Sequence, residues 1–228
     1  MQHVRLEYAE NIISRDVHGI WQEMSYMVRV DNLSYQKDVA IHWCGEDGEW
    51  HVNEAHYRCT LPNGCELWYA SVRRPLTADH SLPGNVCFCA CFQCAGRTFW
   101  DNNQGATYGL DADAGIVVYR DVPIQNLFPN PVLQGGRVSL SINSAVRSNL
   151  QARNVRIHWS TDKWKTKRVT PCFNRANHWD LTRGSVARNP NRYGWEIWTG
   201  CVPIQHAYRI EYSIECETDQ GIIWDNCY

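Results

Sequence analysis

Two tripeptides stand out for the chemistry they could perform: Trp100-Asp101-Asn102 and Trp224-Asp225-Asn226. A flat indole can lie on the apolar C–H face of a sugar ring at little entropic cost, and an asparagine amide can donate to and accept from the hydroxyls on its rim. An asparagine beside a tryptophan therefore suits sugar recognition. The same residues could instead close a turn, with the indole buried and the Asp and Asn bonded to their own backbone. Composition leans toward a stacking surface, because 11 Trp and 11 Tyr stand against only 5 Phe. A core needing only hydrophobic volume would use Phe freely, although large sandwich-core residues account for part of the bias.

Other reactive groups make weaker patterns. Cys87, Cys89, Cys91 and Cys94 look like a metal motif, but residues 87, 89 and 91 of a strand share one face with neighbouring Cα atoms about 7 Å apart. Zinc needs its sulfurs about 2.3 Å from one ion, so these three converge poorly, and no metal or cofactor is expected. Aligning the two tripeptides sets Cys87, Cys89 and Cys91 opposite Glu211, Ser213 and Glu215. That register turns them to the outward face, where the other domain could cover them; a slip of one residue reverses the inference. Reduced cysteines fit the 11 thiols best, with adjacent-strand disulfides through Cys59 or Cys65 as the alternative. His42 and His158 each precede a strand tryptophan and point away from it, as structural or surface residues do. Asp101 and Asp225 could work as a glycosidase pair only if they met across a cleft between domains. No nucleophile–base signature accompanies any of these groups, so an enzyme is not expected.

The chain of 228 residues carries 22 basic and 24 acidic side chains. Its length suits two small domains or one larger sandwich. No run of 18 apolar residues exists, so no membrane-spanning helix is expected. The first twenty residues lack an apolar stretch with a small-residue cleavage site, which favours the cytoplasm over an extracellular location. Charge is uneven: residues 1–128 hold 9 basic and 16 acidic groups, and residues 129–228 hold 13 and 8. Such opposition could help two domains pack or let the second half meet an anionic partner. The basic residues between Arg137 and Arg192 are scattered without a block of five or six, so nucleic acid is not an expected partner.

The elements that must position these residues repeat. Val39-Ala40-Ile41-His42-Trp43 is followed by Trp50 and, later, Phe99-Trp100-Asp101-Asn102; Val155-Arg156-Ile157-His158-Trp159 is followed by Trp164 and Ile223-Trp224-Asp225-Asn226. Recurrence in the same order implies two copies of one domain that differ in loop insertions. The expected boundaries are 1–125 (core about 17–122), a Pro/Gly linker at 126–136 and a second domain at 137–228, the prolines making a semi-rigid spacer. Tyr26–Val30, Val39–Trp43, Leu67–Val72, Val86–Phe92 and Arg209–Glu215 are β-branched or aromatic runs separated by turn signals such as Asp47-Gly48 and Pro62-Asn63-Gly64. No apolar stripe keeps a helical period. Each half reads as an all-β antiparallel sandwich of about seven or eight strands.

From about Val28 to Tyr108, the sequence resembles the family 21 starch- and glycogen-binding modules, which occur in fungal glucoamylases and in glycogen-targeting subunits of protein phosphatase 1. The residues that carry the resemblance are Val30-Asp31-Asn32-Leu33-Ser34-Tyr35-Gln36-Lys37-Asp38-Val39, then Trp50, then Phe99-Trp100-Asp101-Asn102-Asn103-Gln104-Gly105-Ala106-Thr107-Tyr108. The second half keeps Trp164 and Trp224-Asp225-Asn226 but ends at Cys227-Tyr228 and has no aromatic where Tyr35 stands. The resemblance implies two tandem immunoglobulin-like sandwiches that bind α-glucan on aromatic platforms without catalysis. It implies that Trp50 and Trp100 form one platform, with Asn102, Asn103 and Tyr108 beside it, and that Tyr35 and Tyr57 form another. In the divergent second copy it implies Trp164, Trp224 and Asn226. The expected partner is a polysaccharide or glycan, an α-1,4-glucan such as starch or glycogen, with two linked modules raising avidity. The alternatives are a lectin of the same fold for another glycan and a glycogen-targeting adaptor for a phosphatase. The adaptor would need a basic-hydrophobic-x-aromatic docking motif, and Arg137-Val138-Ser139-Leu140, which ends in Leu, supports a protein partner poorly.

Overall fold

The alternation of inward and outward residues builds both halves from strands. The computed structural model describes residues 2–134, 137–204 and 209–225. Its chain divides into two units, Met1–Arg120 with Trp179–Arg188, and Asp121–His178 with Asn189–Tyr228.

The first unit contains β1 (Val4–Asp16), β2 (Gly19–Val30), β3 (Lys37–Cys44), β4 (Trp50–Glu54), β5 (His56–Thr60), β6 (Glu66–Pro75), β7 (Val86–Cys94), β8 (Arg97–Asp101), β9 (Tyr108–Leu110) and β10 (Gly115–Val118). One antiparallel sheet runs β10-β1-β2-β6-β5, and the other runs β4-β3-β7-β8 with β9 also paired to β7. Strand β7 explains the layering. Val86, Phe88, Ala90 and Phe92 are buried and, with Ile41 and Trp43 of β3, supply the inner face of their sheet; Tyr26 of the opposite sheet meets Phe88 edge-on at 4.8 Å.

The second unit contains β11 (Ile124–Asn126), β12 (Asn130–Gln134), β13 (Arg137–Arg147), β14 (Asn154–Ser160), β15 (Arg168–Pro171), β16 (Phe173–Asn174), β17 (Trp195–Pro203), β18 (Glu211–Thr218) and β19 (Gly221–Asp225). Its sheets run β11-β13-β17-β16, with β12 also on β13, and β15-β14-β18-β19. Ile142, Val146, Ile157, Trp159, Val202, Ile214 and Cys216 fill the core between them. Strand for strand, this order matches β1-β2-β6-β5 and β4-β3-β7-β8 of the first unit. Both units are antiparallel β-sandwiches.

Two features depart from the sequence reading. The stretch 126–136, read from its prolines as a linker, holds the end of β11 and all of β12. Pro131 of β12 pairs with Leu140 of β13, and among the described residues β12 pairs with β13 alone, so the missing N–H can face away from the ladder. Gly135 and Gly136 lie outside the described residues. The second departure is Trp179–Arg188, which includes all but the first residue of the short helix α1 (His178–Arg183) and lies with the first unit. Arg183 pairs with Glu23 at 2.8 Å, and Ser185 Oγ donates to Asp113 Oδ1 at 2.5 Å. Gly184 turns the chain at φ +61°, and a Cβ there would collide with the Arg15 carbonyl.

The cysteine register follows the sequence alignment. Cys89 lies opposite His42 and Ser213 opposite His158, so Cys87, Cys89 and Cys91 all face outward. Cys89 and Cys91 are nevertheless buried, each paired across strands with a ring, His42 and Trp100 respectively. All ten cysteines among the described residues are free thiols. Burial pushes Cys172 up to about 12 and Cys216 up to about 11. At pH 8 a thiol of pKa 12 is only about 1 part in 10⁴ thiolate, the nucleophilic form. A disulfide reagent at pH 8 should therefore modify exposed Cys87 and Cys201 in minutes and spare Cys172 and Cys216 until denaturant is added. Peptide mass mapping reads the result, and early labelling of Cys172 would contradict its packing. Among the described residues, no helix is long and apolar enough to cross a membrane.

Candidate functional site

Strand register puts Trp50 and Trp100 on one surface. Trp50 pairs with Cys44, and Trp100 pairs with Cys91, which pairs with Ala40. Residues 40, 42 and 44 share the outward face of β3, so both indoles stand on the outer face of β4-β3-β7-β8. They are 54% and 46% exposed, whereas Trp43, one residue out of phase, is buried. Trp100 leans back across β7 until its ring meets His42 edge-on at 4.8 Å. His42 pairs with Val52, two residues beyond Trp50, which leaves Trp50 diagonal to it at about 7–8 Å between backbones. The result is an aromatic track, Trp50–His42–Trp100.

His42 is a member of this surface that sequence reasoning treated as structural. Its signal was present: the same His precedes the buried strand tryptophan in both halves. Its ring partner, however, lies 58 residues away and is set by register. Partial burial lowers the His42 pKa, so the ring is neutral at pH 7 and offers one donor and one acceptor.

Beyond Trp100 the chain makes a tight loop. Asp101 is buried, and its carboxylate accepts from the Leu6 backbone N–H at 2.7 Å and from the Tyr108 hydroxyl at 2.8 Å. Asn102 Oδ1 accepts from Gly105 N at 3.0 Å, while Asn103 Nδ2 donates to the Thr107 carbonyl at 2.9 Å. Asn103, Gln104 and Thr107 have positive φ, a conformation that Asn tolerates better than most residues. Half of each Asn amide thus holds the loop, and Asn102 Nδ2 and Asn103 Oδ1 stay available to a ligand. Tyr108 turns the other way, packing on Phe88 and Tyr119, with its hydroxyl spent on Asp101. Burial and the Asp101 carboxylate raise its pKa. The aspartate is a structural acceptor: in the second unit Asp225 Oδ2 likewise accepts from the Asn126 N–H of the corresponding first strand, at 2.8 Å.

Tyr35 and Tyr57 lie elsewhere on the first unit. Tyr35 is fully exposed in the β2–β3 loop, whose end is held by Lys37, bonded to Asn32 and to Glu66. Tyr57 is half-exposed on edge strand β5, edge-on to Trp68 and hydrogen-bonded to Thr60 at 2.9 Å. Glu66 pairs with Thr60, so the Lys37 bridge connects the Tyr35 loop to the strand pair that carries Tyr57. A shallow groove lined by Ser34, Gln36, Asp38, Gln93 and Arg97 adjoins the Tyr35 loop.

The second unit repeats the track with different neighbours. Trp224 meets His158 at 4.9 Å on the outer face of β15-β14-β18-β19, and Lys167 Nζ lies 5.9 Å from the Trp224 ring centroid. His158 Nε2 contacts Glu215 Oε2 at 2.7 Å, and Arg156 contacts the same carboxylate at 2.6 Å. Where the first unit has Ala40 and Cys91 under its tryptophan, the second has the ion pair Arg156–Glu215. Trp164, 43% exposed, sits with Lys163 in the β14–β15 loop at positive φ. Ser160 Oγ accepts from Trp164 N at 2.9 Å and fixes that turn. Asn226 lies outside the described residues.

Residues 2–111 match the carbohydrate/starch-binding module of family 21. Protein phosphatase 1 regulatory subunit 3B of Xenopus tropicalis is 31% identical over 89 residues, covering 36% of this chain and 28% of that protein. Regulatory subunit 3C of the same organism is 33% identical over 88 residues, 36% of each chain. The chain thus spans about a third of the length of these relatives. Among solved structures, the starch binding domain of Rhizopus oryzae glucoamylase, in complex with beta-cyclodextrin and maltoheptaose, aligns over 49% of this chain and 95% of its own, at 18% identity and TM-score 0.37. The carbohydrate binding module of the muscle glycogen-targeting subunit of protein phosphatase 1 aligns over 50% and 78%, at 26% identity and TM-score 0.34.

Proposed function

Because residues 2–111 match the family 21 carbohydrate/starch-binding module, we propose that the protein is a non-catalytic binder of α-1,4-glucans. The observation that carries this reading is the Trp50–His42–Trp100 track on an open sheet face within the matched residues. Indole faces take the C–H faces of glucose rings, and His42, Asn102 and Asn103 take hydroxyls. Tyr35 and Tyr57 are proposed as a second contact region, and Trp164, Trp224 and Asn226 as a third on a divergent module of the same type. Two linked modules raise avidity for a polymer when both reach one chain. Nothing in this reading requires turnover, since Asp101 spends its carboxylate on Leu6 and Tyr108. Free thiols suit a reducing compartment, and we place the protein in the cytoplasm.

The names of the relatives, regulatory subunits of protein phosphatase 1, favour a second reading, an adaptor that engages a phosphatase while holding glucan. The Arg137–Leu140 segment is a poor docking peptide for it. Ser139 and Leu140 of β13 are already paired on both sides, to β12 and to β17, and an extended peptide needs a free edge to dock.

Native affinity electrophoresis tests the main reading. Wild type should be retarded in gels containing glycogen or soluble starch, and Trp50→Ala should weaken that binding about tenfold, as loss of a central aromatic anchor does. Trp164→Ala reports the second unit separately. Wild-type mobility unchanged across α-glucans would remove the ligand assignment, and a glycan array would then identify the sugar of a lectin.

A further inference from the structure

The two tryptophan loops carry opposite charge. Before Trp50 the chain reads Cys44-Gly45-Glu46-Asp47-Gly48-Glu49, three acids and no base; around Trp164 it reads Asp162-Lys163-Trp164-Lys165-Thr166-Lys167, three lysines and one acid. These segments are equivalent, since each joins the β3 or β14 strand to its β4 or β15 neighbour. The lone acid is turned into its own loop: Asp162 Oδ1 accepts from the Thr166 N–H at 2.9 Å and from the Ser160 hydroxyl at 2.7 Å. The lysines are exposed, and among the described residues none is within 4.0 Å of a carboxylate. Arg156, on the same sheet face, is engaged by two carboxylates, Glu215 and Glu217. Lys163 and Lys165 are the chain neighbours of the exposed Trp164, and Lys167 Nζ lies 5.9 Å from the centroid of the exposed Trp224 ring. Exposed rings and ammonium groups without a carboxylate partner therefore meet through Lys167.

We propose that this face of the second unit takes α-glucan chains bearing phosphate monoesters, with sugar rings on Trp164 and Trp224 and the phosphate against Lys163, Lys165 and Lys167. A phosphate monoester carries about −1.5 to −2 charges at pH 7 and three strong acceptor oxygens, which suits several lysine ammonium groups. The acidic loop at Trp50 repels the same group, so the first unit prefers neutral chain and the second decorated chain. This inference rests on the glucan reading above. Aromatic rings beside lysines also suit single-stranded nucleic acid; the sugar is favoured because Trp224, His158 and Asp225 stand where Trp100, His42 and Asp101 stand in the matched module.

The test uses the full chain carrying Trp50→Ala, so that binding reports the second unit, with Lys163→Gln/Lys165→Gln/Lys167→Gln added in a second variant. Titration at low salt compares a neutral maltodextrin, the same maltodextrin carrying phosphate monoesters, inorganic phosphate and a single-stranded oligonucleotide. The phosphorylated chain should bind about tenfold or more tighter than the neutral one, with the preference lost at high salt and in the triple-Gln variant. Inorganic phosphate should compete only weakly, because it has no ring to stack. Equal binding of both maltodextrins, unchanged in the triple-Gln variant, overturns the inference and leaves the glucan reading standing. Failure of wild type to bind either chain overturns both. Tighter lysine-dependent binding of the oligonucleotide overturns the inference in favour of a nucleic-acid surface.

Discussion

Lys37→Ala should destabilise the first unit by about 3–5 kcal/mol, the usual cost of removing one partner from a buried ion pair. Lys37 Nζ lies 2.8 Å from Glu66 Oε1 and 2.7 Å from Asn32 Oδ1, and the Lys37 and Glu66 side chains are 5% and 10% exposed. Without the ammonium, Glu66 keeps, among the described residues, only the Trp68 indole N–H, at 3.0 Å, as a side-chain donor. A carboxylate left in that position has neither water nor a countercharge. Urea unfolding should report a midpoint lowered by about 1–3 M, given the usual dependence of stability on urea. The double variant Lys37→Met/Glu66→Leu should recover most of the loss, because replacing both partners with apolar groups removes the uncompensated charge. A single-variant loss below about 1 kcal/mol would mean that water reaches the pair in solution, as it does for exposed pairs. The same bond ties the Tyr35 loop to the β5–β6 hairpin, so Lys37→Ala should also weaken any binding at Tyr35 while leaving the Trp50 track intact.

Asp101→Ala should cost about 2–6 kcal/mol, because it orphans two donors at about 1–3 kcal/mol each. One is the Leu6 N–H on β1, and the other is the Tyr108 hydroxyl at the far side of the loop. Asp101→Asn should cost roughly half as much, since an amide oxygen keeps one acceptor while its NH₂ faces the second donor. The two variants can be compared by thermal unfolding and by backbone amide exchange at Leu6. Protection of Leu6 should fall in both, and most in the alanine variant. If Asp101→Ala unfolds like wild type but loses glucan binding, the carboxylate belongs to the ligand site instead of the scaffold.

These cases separate what was legible in the sequence from what was not. The strands were legible because one buried face imposes period-two alternation on adjacent residues, as in Val86–Phe92 and Glu211–Cys216. The outward register of Cys87, Cys89 and Cys91 was legible for the same reason, once both Trp-Asp-Asn motifs were aligned. Asn102 and Asn103 illustrate an ambiguity that sequence left open: turn closure engages one half of each amide, and the proposed ligand contact would use the other. The proline-rich stretch 126–136 misled because proline marks loops and unpartnered strand edges alike, and only pairing with β13 separates the two.

The sequence by itself determined the all-β class, the recurring strand pattern and the resemblance that residues 2–111 bear out, since each depends on residues close together in the chain. Tertiary structure decided that His42 joins Trp50 and Trp100, that Asp101 fastens β8 to β1, that Lys37 answers Glu66, and that Trp179–Arg188 lies with the first unit. It also brought Lys167 of the Trp164 loop to the ring of Trp224. Each of those pairings joins elements that are remote in sequence, and strand order and register, which set them, are products of the whole packed sandwich.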